Sequence, residues 1–395
     1  VCSSDLLIAY STFTGNRAYS NGGAIYLSSS LSNAMRLDHL TLTGNQADSA
    51  GGGLYLSVSA EIASSDLSLN TAGTSGGGIA TSSALTLTQV SLRDNSAAVN
   101  GAGLNVILVS TSPRVIRYSE ISGNSAGNNG GGMAVIEGGA VNLSHSTISG
   151  NDAGNDGGGL FLERATAQLS FSTLMNNTAG SDGGGFHAMA TFDAAEVLLR
   201  NTINLNNSTP ATGFYDCSAF GAGVTVTTQG YNRYSGSALS GCAAYLTDPT
   251  DDFVSTPSVY VDLALIDNGG PTLTHEIFAV QGDPKSFHNQ VPDGANGCQA
   301  GATLDQRGYT RAGGPGAGGS RCDIGAYEVS DFCATPSAPD VAIDLAGSAV
   351  TLSWTQPAGN FSTEIWRAPD PYFDPNTPGG RLPYNTVDTT YEFDA

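Results

Sequence analysis

Three aspartates in the middle of the chain are of the residue type that a divalent cation prefers. Asp156 and Asp182 stand at the same position of two successive repeats, and Asp152 is close to them in the sequence. In stacked strands, equivalent residues lie about 4.8 Å apart, and carboxylates at that distance attract a cation such as Ca²⁺. Two solvated carboxylates on a turn are the simpler interpretation, which we favour. The five histidines are dispersed without metal-ligand spacing, so the candidate Ca²⁺ site comprises the three aspartates, and we expect no other cofactor.

A second candidate is a column of aromatic and polar residues, one from each repeat. It comprises Tyr10, His39, Ser64, Gln89, Tyr118, His145, Phe171 and Arg200. If the column faces outwards, His39, Tyr118, His145 and Phe171 form a stripe on which sugar rings can stack. If it faces inwards, the same residues fill the interior near a corner. We favour the second interpretation because the column is mixed in composition.

The residues needed to cleave a polysaccharide are not found in the repeats. A lyase similar to pectate lyase needs several Ca²⁺-binding carboxylates and a basic residue that removes a proton. The repeats contain no lysine, and their arginines stand at different positions of the repeat: Arg17, Arg36, Arg93, Arg114, Arg117, Arg164 and Arg200. A hydrolase similar to polygalacturonase needs Gly-His-Gly and Arg-x-Lys, and neither occurs. We therefore expect a non-enzymatic protein, with a carbohydrate-binding or polysaccharide-cleaving protein as the alternative.

These residues must be positioned by a repeat that contains one asparagine in each copy. The asparagines are spaced 25–29 residues apart, at Asn16, Asn45, Asn70, Asn95, Asn124, Asn151, Asn177 and Asn206. A period of this length is typical of solenoids and too short for a propeller blade. Apolar residues recur three and eight positions before the asparagine and nine after it, which predicts three walls around one interior. Glycine triplets supply tight corners and are incompatible with helical repeats.

Residues 7–212 are therefore predicted to form an all-β fold, a right-handed parallel β-helix of about eight coils. Stacked asparagine side chains can hydrogen-bond along the column as a ladder. We predict this structural role for Asn45, Asn70, Asn95, Asn124, Asn151 and Asn177. All variation in length falls in the loops between constant segments, and the longer of these loops are 28–36, 107–115 and 189–197. Loops of variable length on a constant scaffold often form a binding face, so we predict ligand contacts there; tolerated insertions are the alternative.

The composition excludes several classes of partner. The formal net charge is −21, and only 12% of the residues are charged. A surface this acidic repels nucleic acid and anionic lipid, because it cannot neutralise their phosphates. No apolar run reaches the roughly 18 residues that a transmembrane helix needs. We expect no nucleic-acid partner, no transmembrane segment in this fragment, and a monomer.

The first repeat resembles a known family. Phe13-Thr-Gly-Asn16 followed by Gly22-Gly-Ala-Ile25 is similar to the FxxN and GGA[IL] repeats of polymorphic outer membrane proteins. Later repeats follow a looser form, with Leu or Ile in place of Phe and with three glycines in place of Gly-Gly-Ala.

Residues 205–330 resemble the choice-of-anchor Q domain, a bacterial module that accompanies β-helical surface proteins. The resemblance is carried by Asp267-Asn-Gly-Gly-Pro-Thr272, His275, Asp305-Gln-Arg-Gly308, Arg311 and Cys322-Asp-Ile-Gly-Ala-Tyr-Glu328. It implies an exported bacterial protein at the cell surface, and it implies no reaction. We therefore expect a secreted, adhesin-like or envelope-display protein whose partners are glycans or proteins of a host or of the environment.

Residues 213–332 are predicted to cap the solenoid, because an open end exposes apolar residues and unpaired strand edges. Ion pairs of Asp305 with Arg307, and of Asp323 with Arg321 or Arg311, would hold glycine-rich loops over that end.

The cysteines of this region are Cys217, Cys242, Cys298 and Cys322. Four cysteines allow three pairings. Sequence proximity and the nested motifs favour Cys217–Cys242 and Cys298–Cys322. Disulfides of this kind imply an oxidising compartment.

Both ends of the chain are expected to be truncated. Residues 1–6 match the translation of a sequencing adapter, so we expect an artefact that includes Cys2. Residues 333–339 are predicted to be a linker that leaves Cys333 without a partner. Residues 340–395 resemble the first part of a fibronectin type III-like sandwich, which is shorter than the usual domain.

Overall fold

The chain divides into two units in a computed structural model. The first unit contains residues 1–312 and 319–329, and the second contains residues 313–318 and 330–395. The structure describes residues 6–28, 35–107, 114–210, 216–236, 241–242, 248–280, 283–299, 303–311 and 321–329, together with the backbone of five strands between residues 341 and 394.

The first unit is a parallel β-solenoid built from three sheets, as the repeat predicts. Sheet A begins with four long strands, Leu7–Thr14, Met35–Thr43, Ala60–Ser68 and Leu85–Arg93. From the fifth coil onwards each strand of sheet A is interrupted, giving the pairs Arg114–Arg117 and Glu120–Ser122, Ala140–Ser144 and Thr147–Ser149, Thr166–Ser170 and Thr173–Met175, Ala195–Arg200 and Ile203–Leu205, and Val224–Thr228 and Arg233–Ser235, followed by Asp252–Val254.

The other two sheets complete each coil. Sheet B has seven two-residue strands, Arg17–Ala18, Gln46–Ala47, Thr71–Ala72, Ser96–Ala97, Ser125–Ala126, Asp152–Ala153 and Thr178–Ala179. Sheet C has eight strands, Ile25–Leu27, Leu54–Leu56, Ile79–Thr81, Leu104–Ile107, Met133–Ile136, Leu160–Glu163, Phe186–Met189 and Cys217–Phe220. Equivalent residues of successive coils pair in register, and the predicted apolar columns line the buried interior.

The predicted asparagine ladder runs through the corner between sheets A and B. Each rung accepts hydrogen bonds from the main-chain N–H and the side-chain amide of the rung before it; Asn95, for example, donates both to Asn124 Oδ1, at 2.9 and 3.0 Å. Each side-chain amide also donates to a main-chain carbonyl, as Asn124 Nδ2 does to Leu92 O at 2.9 Å. The rungs from Asn45 to Asn177 are at most 1% exposed, so the ladder satisfies polar groups that water cannot reach.

The last rung lies one residue after the asparagine that the sequence repeat predicted. Asn177 donates to Asn207 Oδ1 at 2.9 Å, so the eighth rung is Asn207 and not Asn206. The core column three positions before the rung then ends at Asn204, which pairs with Leu174. Ile203 stands three residues before Asn206 and was therefore predicted to lie in the core, but it faces outwards.

The glycine triplets act at the corners as expected. Gly51 has a φ of +70°, and a Cβ added to Gly52 would lie 2.4 Å from the carbonyl oxygens of Gly77 and Thr71. Only glycine allows the backbones of adjacent coils to come so close.

The parallel pairing continues beyond residue 212, where the sequence repeat ends. Cys217–Phe220 extends sheet C, and the strands from Val224 to Val254 extend sheet A. The described residues from 255 to 329 do not lie across the end of the solenoid; they pack along its side, on the outer face of sheet A in coils five to eight. Thr147 Oγ1 donates to Gln306 Oε1 at 2.7 Å, and the Ala326 N–H donates to Thr173 Oγ1 at 3.1 Å. We call the described residues between 255 and 329, all of which belong to the first unit, the side layer.

The side layer contains little regular structure. Its described residues form one 3₁₀ helix, Pro257–Val259, one antiparallel pair of strands, Val291–Pro292 with Arg321–Cys322, and isolated antiparallel bridges. Its apolar residues form a second core against the outward residues Met175, Ile203 and Leu205 of the solenoid. In the described part of the chain no helix is long and apolar enough to cross a bilayer.

The second unit contains an antiparallel sheet of Val341–Ala346, Ala349–Trp354 and Thr390–Asp394, and a short pair, Thr363–Glu364 with Asn385–Thr386. Residues 1–5 and the predicted linker 333–339, with Cys2 and Cys333, lie outside the described residues.

Candidate functional site

A cavity of about 410 Å³ lies on the outer face of sheet A, where the side layer stops. We call it the outer-face groove. Coils two to five form its floor, and residues 267–273 of the side layer form its wall. Its lining residues are His39, Leu40, Thr41, Ser64, Ser65, Asp66, Gln89, Ser91, Arg93, Glu120, Asp267, Gly270, Pro271, Thr272 and Leu273.

The floor carries an ion pair between adjacent coils. Asp66 and Arg93 face outwards from neighbouring strands, and Arg93 Nη2 donates to Asp66 Oδ2. Their side chains are 32% and 35% exposed. Asp66 Oδ1 and Arg93 Nε are shielded from solvent and have no hydrogen-bond partner among the described residues, so a ligand reaches this partly exposed pair through its other atoms.

Glu120 closes the end of the groove nearest the side layer. Its carboxylate is fully buried and accepts hydrogen bonds from Ser91 Oγ at 3.1 Å, from Ser122 Oγ, and from the Leu273 N–H at 3.0 Å. Burial raises the pKa of Glu120, and the hydrogen bonds from Ser122 and Leu273 partly oppose that shift. The contact with Leu273 ties the wall of the groove to its floor.

The wall is a tight turn whose sequence, Asp267-Asn-Gly-Gly-Pro, favours that shape. The Gly269 N–H donates to Asp267 Oδ1 at 2.9 Å. Gly270 has a φ of +103°, and an added Cβ would lie 2.6 Å from the Cα of Arg307. The expected ion pair of Arg307 with Asp305 is present, at 2.7 Å. Arg307 thereby supports the turn from behind.

The aromatic column lies at the bend within sheet A. Tyr10, His39, Ser64, Gln89, Tyr118, His145 and Phe171 all have φ between +46° and +56°. In the eighth coil Asn201 takes this position, with a φ of +52°, and not Arg200. A left-handed φ is uncommon for residues other than glycine, and nothing in the mixed sequence of the column predicts it.

The side layer divides the predicted stripe in two. His39 is exposed, stacks on Tyr10 at a ring distance of 4.6 Å and lines the groove. Tyr118 is half-buried and stacks on His145, which stacks on Phe171. Phe171 is only 2% exposed, and Arg311 lies 4.5 Å above its ring. Phe171 is thus covered, whereas His145 is half-buried like Tyr118, and glycan stacking stays a prediction for His39, Tyr118 and His145.

Arg311 holds this covered end together. Its Nη1 donates to Glu328 Oε2 at 3.0 Å and to the Asp323 carbonyl at 3.2 Å, and its Nε donates to His145 Nδ1 at 3.2 Å. Burial, together with the positive charges of Arg311 and Arg200, lowers the pKa of His145 well below its ordinary value. The imidazole is therefore neutral and can accept a hydrogen bond from the guanidinium.

The predicted cation site is assembled in part. Asp156 and Asp182 are adjacent, and the Asp182 N–H donates to Asp156 Oδ1 at 3.1 Å. Asp152 lies on a strand of sheet B and does not belong to this group. His187, which sequence spacing did not connect with the aspartates, joins them.

Both favoured disulfides, Cys217–Cys242 and Cys298–Cys322, are present. The first lies in the core of the solenoid, and the second lies in the core of the side layer.

Two of the three variable loops fall largely outside the described residues, which exclude 29–34 and 108–113. The third, 189–197, borders a cavity of about 560 Å³ lined by Glu137, Arg164 and Asp193 among others. Ligand binding on this side stays a prediction.

Comparison with known proteins supports the family resemblance of the first coil. The Chlamydia polymorphic membrane protein repeat matches residues 10–28. No curated protein and no solved structure matches the chain. The resemblance of residues 205–330 to the choice-of-anchor Q domain stays a prediction. The chain is thus a parallel β-solenoid whose first coil is similar to the repeats of a bacterial membrane protein family.

Proposed function

We propose that this chain is an exported bacterial surface protein that binds glycans in its outer-face groove without cleaving them. Its role would be adhesin-like or that of an envelope-display solenoid. The match to a Chlamydia polymorphic membrane protein repeat supports a surface or outer-membrane association. The resemblance of residues 205–330 to the choice-of-anchor Q domain fits attachment to the envelope.

The groove is the observation on which the binding function rests. Sugar binding needs hydrogen-bond donors and acceptors and a flat surface on which the rings can pack, and a small number of precisely placed polar groups fixes the orientation of the ligand. Asp66 and Arg93 supply a carboxylate and a guanidinium on the floor, and their side chains are about one third exposed. His39 supplies a ring at the rim, and Ser64 and Gln89 add polar groups beside it.

Cleavage of a polysaccharide is the second candidate, and Glu120 is the observation that favours it. A buried carboxyl with a raised pKa is a typical general acid. Three donors already bind the carboxylate of Glu120, one of them from the wall. A carboxylate engaged in this way positions neighbouring segments, so we favour binding without turnover.

A glycan array with matched variants tests the proposal. Ser64→Trp fills the groove, and its column already accepts Tyr and Phe at other coils. Arg93→Gln removes the charged donor. We expect either variant to weaken binding by more than about tenfold, equivalent to about 1.4 kcal/mol. Thr71→Trp, on the exposed surface of sheet B, is the control and should bind as the unaltered chain does.

Two results would contradict the proposal. One is an array on which nothing binds, and the other is an equal loss of binding in Thr71→Trp and Ser64→Trp. Release of reducing ends or unsaturated sugars from a bound polysaccharide, abolished by Glu120→Gln, would establish the enzymatic alternative instead.

A further inference from the structure

Two carboxylates and one imidazole converge at the corner between sheets B and C in coils six and seven. One carboxylate oxygen each of Asp156 and Asp182 and one ring nitrogen of His187 lie within 4.8 Å of one another. Asp182 is exposed and Asp156 is half-buried, whereas His187 is only 3% exposed. The group is therefore open to solvent on one side and closed on the other.

The imidazole is unusual because it is buried with an unused polar atom. His187 Nδ1 is inaccessible to solvent and has no hydrogen-bond partner among the described residues. The ring packs against Phe161, its neighbour in sheet C, at a centroid distance of 5.8 Å. A buried polar atom without a partner destabilises the fold unless a ligand satisfies it.

The two aspartates are not explained by their place in the scaffold. Their column forms a second ladder, in which the Asn129 N–H donates to Asn100 Oδ1, the Asp156 N–H to Asn129 Oδ1, and the Asp182 N–H to Asp156 Oδ1. The ladder needs only a side-chain oxygen, which asparagine supplies without charge at positions 100 and 129. Aspartates on adjacent rungs add repulsion between like charges, which a bound cation would relieve.

We propose that Asp156, Asp182 and His187 bind a divalent transition-metal ion, with Zn²⁺ as the favoured ion. An imidazole nitrogen with two carboxylates suits Zn²⁺, whereas Ca²⁺ takes oxygen ligands only. Bond lengths of about 2.0–2.2 Å place the ligand atoms of a tetrahedral Zn²⁺ about 3.3 Å apart. The three atoms now lie within 4.8 Å of one another, so binding requires the exposed Asp182 side chain to move towards the other two ligands, with water as the remaining ligand.

The electrostatics of the site agree with this assignment. Burial lowers the pKa of His187, although the two aspartates oppose the shift. A lowered pKa keeps the imidazole neutral, which is the form that binds a metal. The proposed ion joins coils six and seven at the corner between sheets B and C, whereas the outer-face groove lies on sheet A. The site would therefore link the coils through a metal ion, independently of glycan binding.

Isothermal titration of the metal-stripped full chain with ZnCl₂ tests the site. We expect one Zn²⁺ to bind per chain with micromolar or tighter affinity and to raise the melting temperature. Asp156→Asn, Asp182→Asn and His187→Phe should each weaken binding by at least about tenfold. The asparagine variants keep the ladder acceptor, and phenylalanine keeps the ring beside Phe161. Asp152→Asn removes the same charge from a residue outside the group and should leave the affinity unchanged.

The titration has outcomes that would overturn the proposal. One is the absence of Zn²⁺ binding by a chain whose circular dichroism shows it folded. Another is an equal loss of affinity in Asp152→Asn and His187→Phe, which would indicate general attraction to an acidic surface. Tighter binding of CaCl₂ than of ZnCl₂ would rule out the imidazole as a ligand.

Discussion

The outer face of sheet A differs between the first four coils and the next four, although the interior is the same in both. We compare the exposure of two outward-facing positions in each coil, which stand four and two residues before the ladder asparagine. In coils one to four seven of the eight residues are exposed or half-buried: Thr12, Thr14, Thr41, Thr43, Asp66, Ser68 and Arg93, with Ser91 as the exception. In coils five to eight all eight are buried: Glu120, Ser122, Thr147, Ser149, Thr173, Met175, Ile203 and Leu205.

This difference shows how one scaffold supports two surfaces. The asparagine ladder and the apolar columns impose the same coil on both regions. The side layer covers only the second region, and its edge at residues 270–273 forms the wall of the groove. The groove therefore exists because the side layer stops partway along the solenoid.

The largest expected difference between the regions concerns their ion pairs. Arg311 and Glu328 are 0% and 5% exposed and lie within the side layer, whereas Asp66 and Arg93 lie in the open groove. Arg311→Met leaves the Glu328 carboxylate buried without its counter-charge, which should cost about 3–5 kcal/mol of unfolding free energy. Arg93→Met should cost about 1 kcal/mol or less, because its pair is partly exposed and water screens it. Urea unfolding followed by circular dichroism measures both changes.

Equal destabilisation by the two variants would contradict the distinction between a covered and an open face. The double variant Arg311→Met with Glu328→Gln provides the control, because it removes both buried charges and leaves neither group without its counter-charge. It should destabilise less than Arg311→Met if the unpaired buried carboxylate is the main cost.

A smaller difference is expected at one position of the repeat in the two regions. Ile203 and Thr41 both stand four residues before their ladder asparagines and face outwards, but Ile203 is 0% exposed and Thr41 is exposed. Ile203→Ala should cost about 2–4 kcal/mol, because it leaves a cavity in the core of the side layer. Thr41→Ala should change stability by less than about 0.5 kcal/mol. The same urea titrations apply, and a large effect of Thr41→Ala would show that the first region is also covered.

The interior was predictable from the sequence because its constraints repeat in every coil. Apolar columns, ladder asparagines and corner glycines recur in the sequence because each residue makes the same contact with the equivalent residue of the next coil. The one error, Asn206 for Asn207, arose where two asparagines stand side by side. Pairing of Leu174 with Asn204 decided between them.

The outer face was not predictable in the same way because its contacts join residues far apart in the sequence. Thr147 and Gln306, for example, are separated by 159 residues. A signal for the side layer was nevertheless present: Leu174 and Met175 are two apolar residues in succession. They break the alternation of apolar and polar residues, as in strands buried on both faces. Likewise, His187 approaches Asp156 and Asp182 through the stacking of coils, so linear spacing could not reveal it.

The smallest expected difference is in the response of the two regions to acid. The pKa of His145 is lowered because the side chain is buried beneath Arg311, whereas an unfolded histidine takes up a proton near its ordinary pKa of about 6.5. Below that pH the unfolded chain binds a proton that the folded chain does not, so His145 makes stability fall as the pH falls. Burial lowers the pKa of His275 as well, with an effect of the same sign. Asp216, whose pKa is raised to about 6 by burial, acts in the opposite direction.

Because these contributions overlap, the contribution of His145 must be isolated by substitution. His145→Phe keeps an aromatic ring between Tyr118 and Phe171 and removes the titrating group. Between about pH 7 and about pH 5, unfolding free energy should fall more steeply for the unaltered chain than for this variant. His39→Phe, which replaces an exposed ring of the uncovered region, is measured beside it as the matched control. If instead His145→Phe and the unaltered chain have parallel profiles, the side layer does not exclude protons from the covered face, and the two faces differ in packing alone.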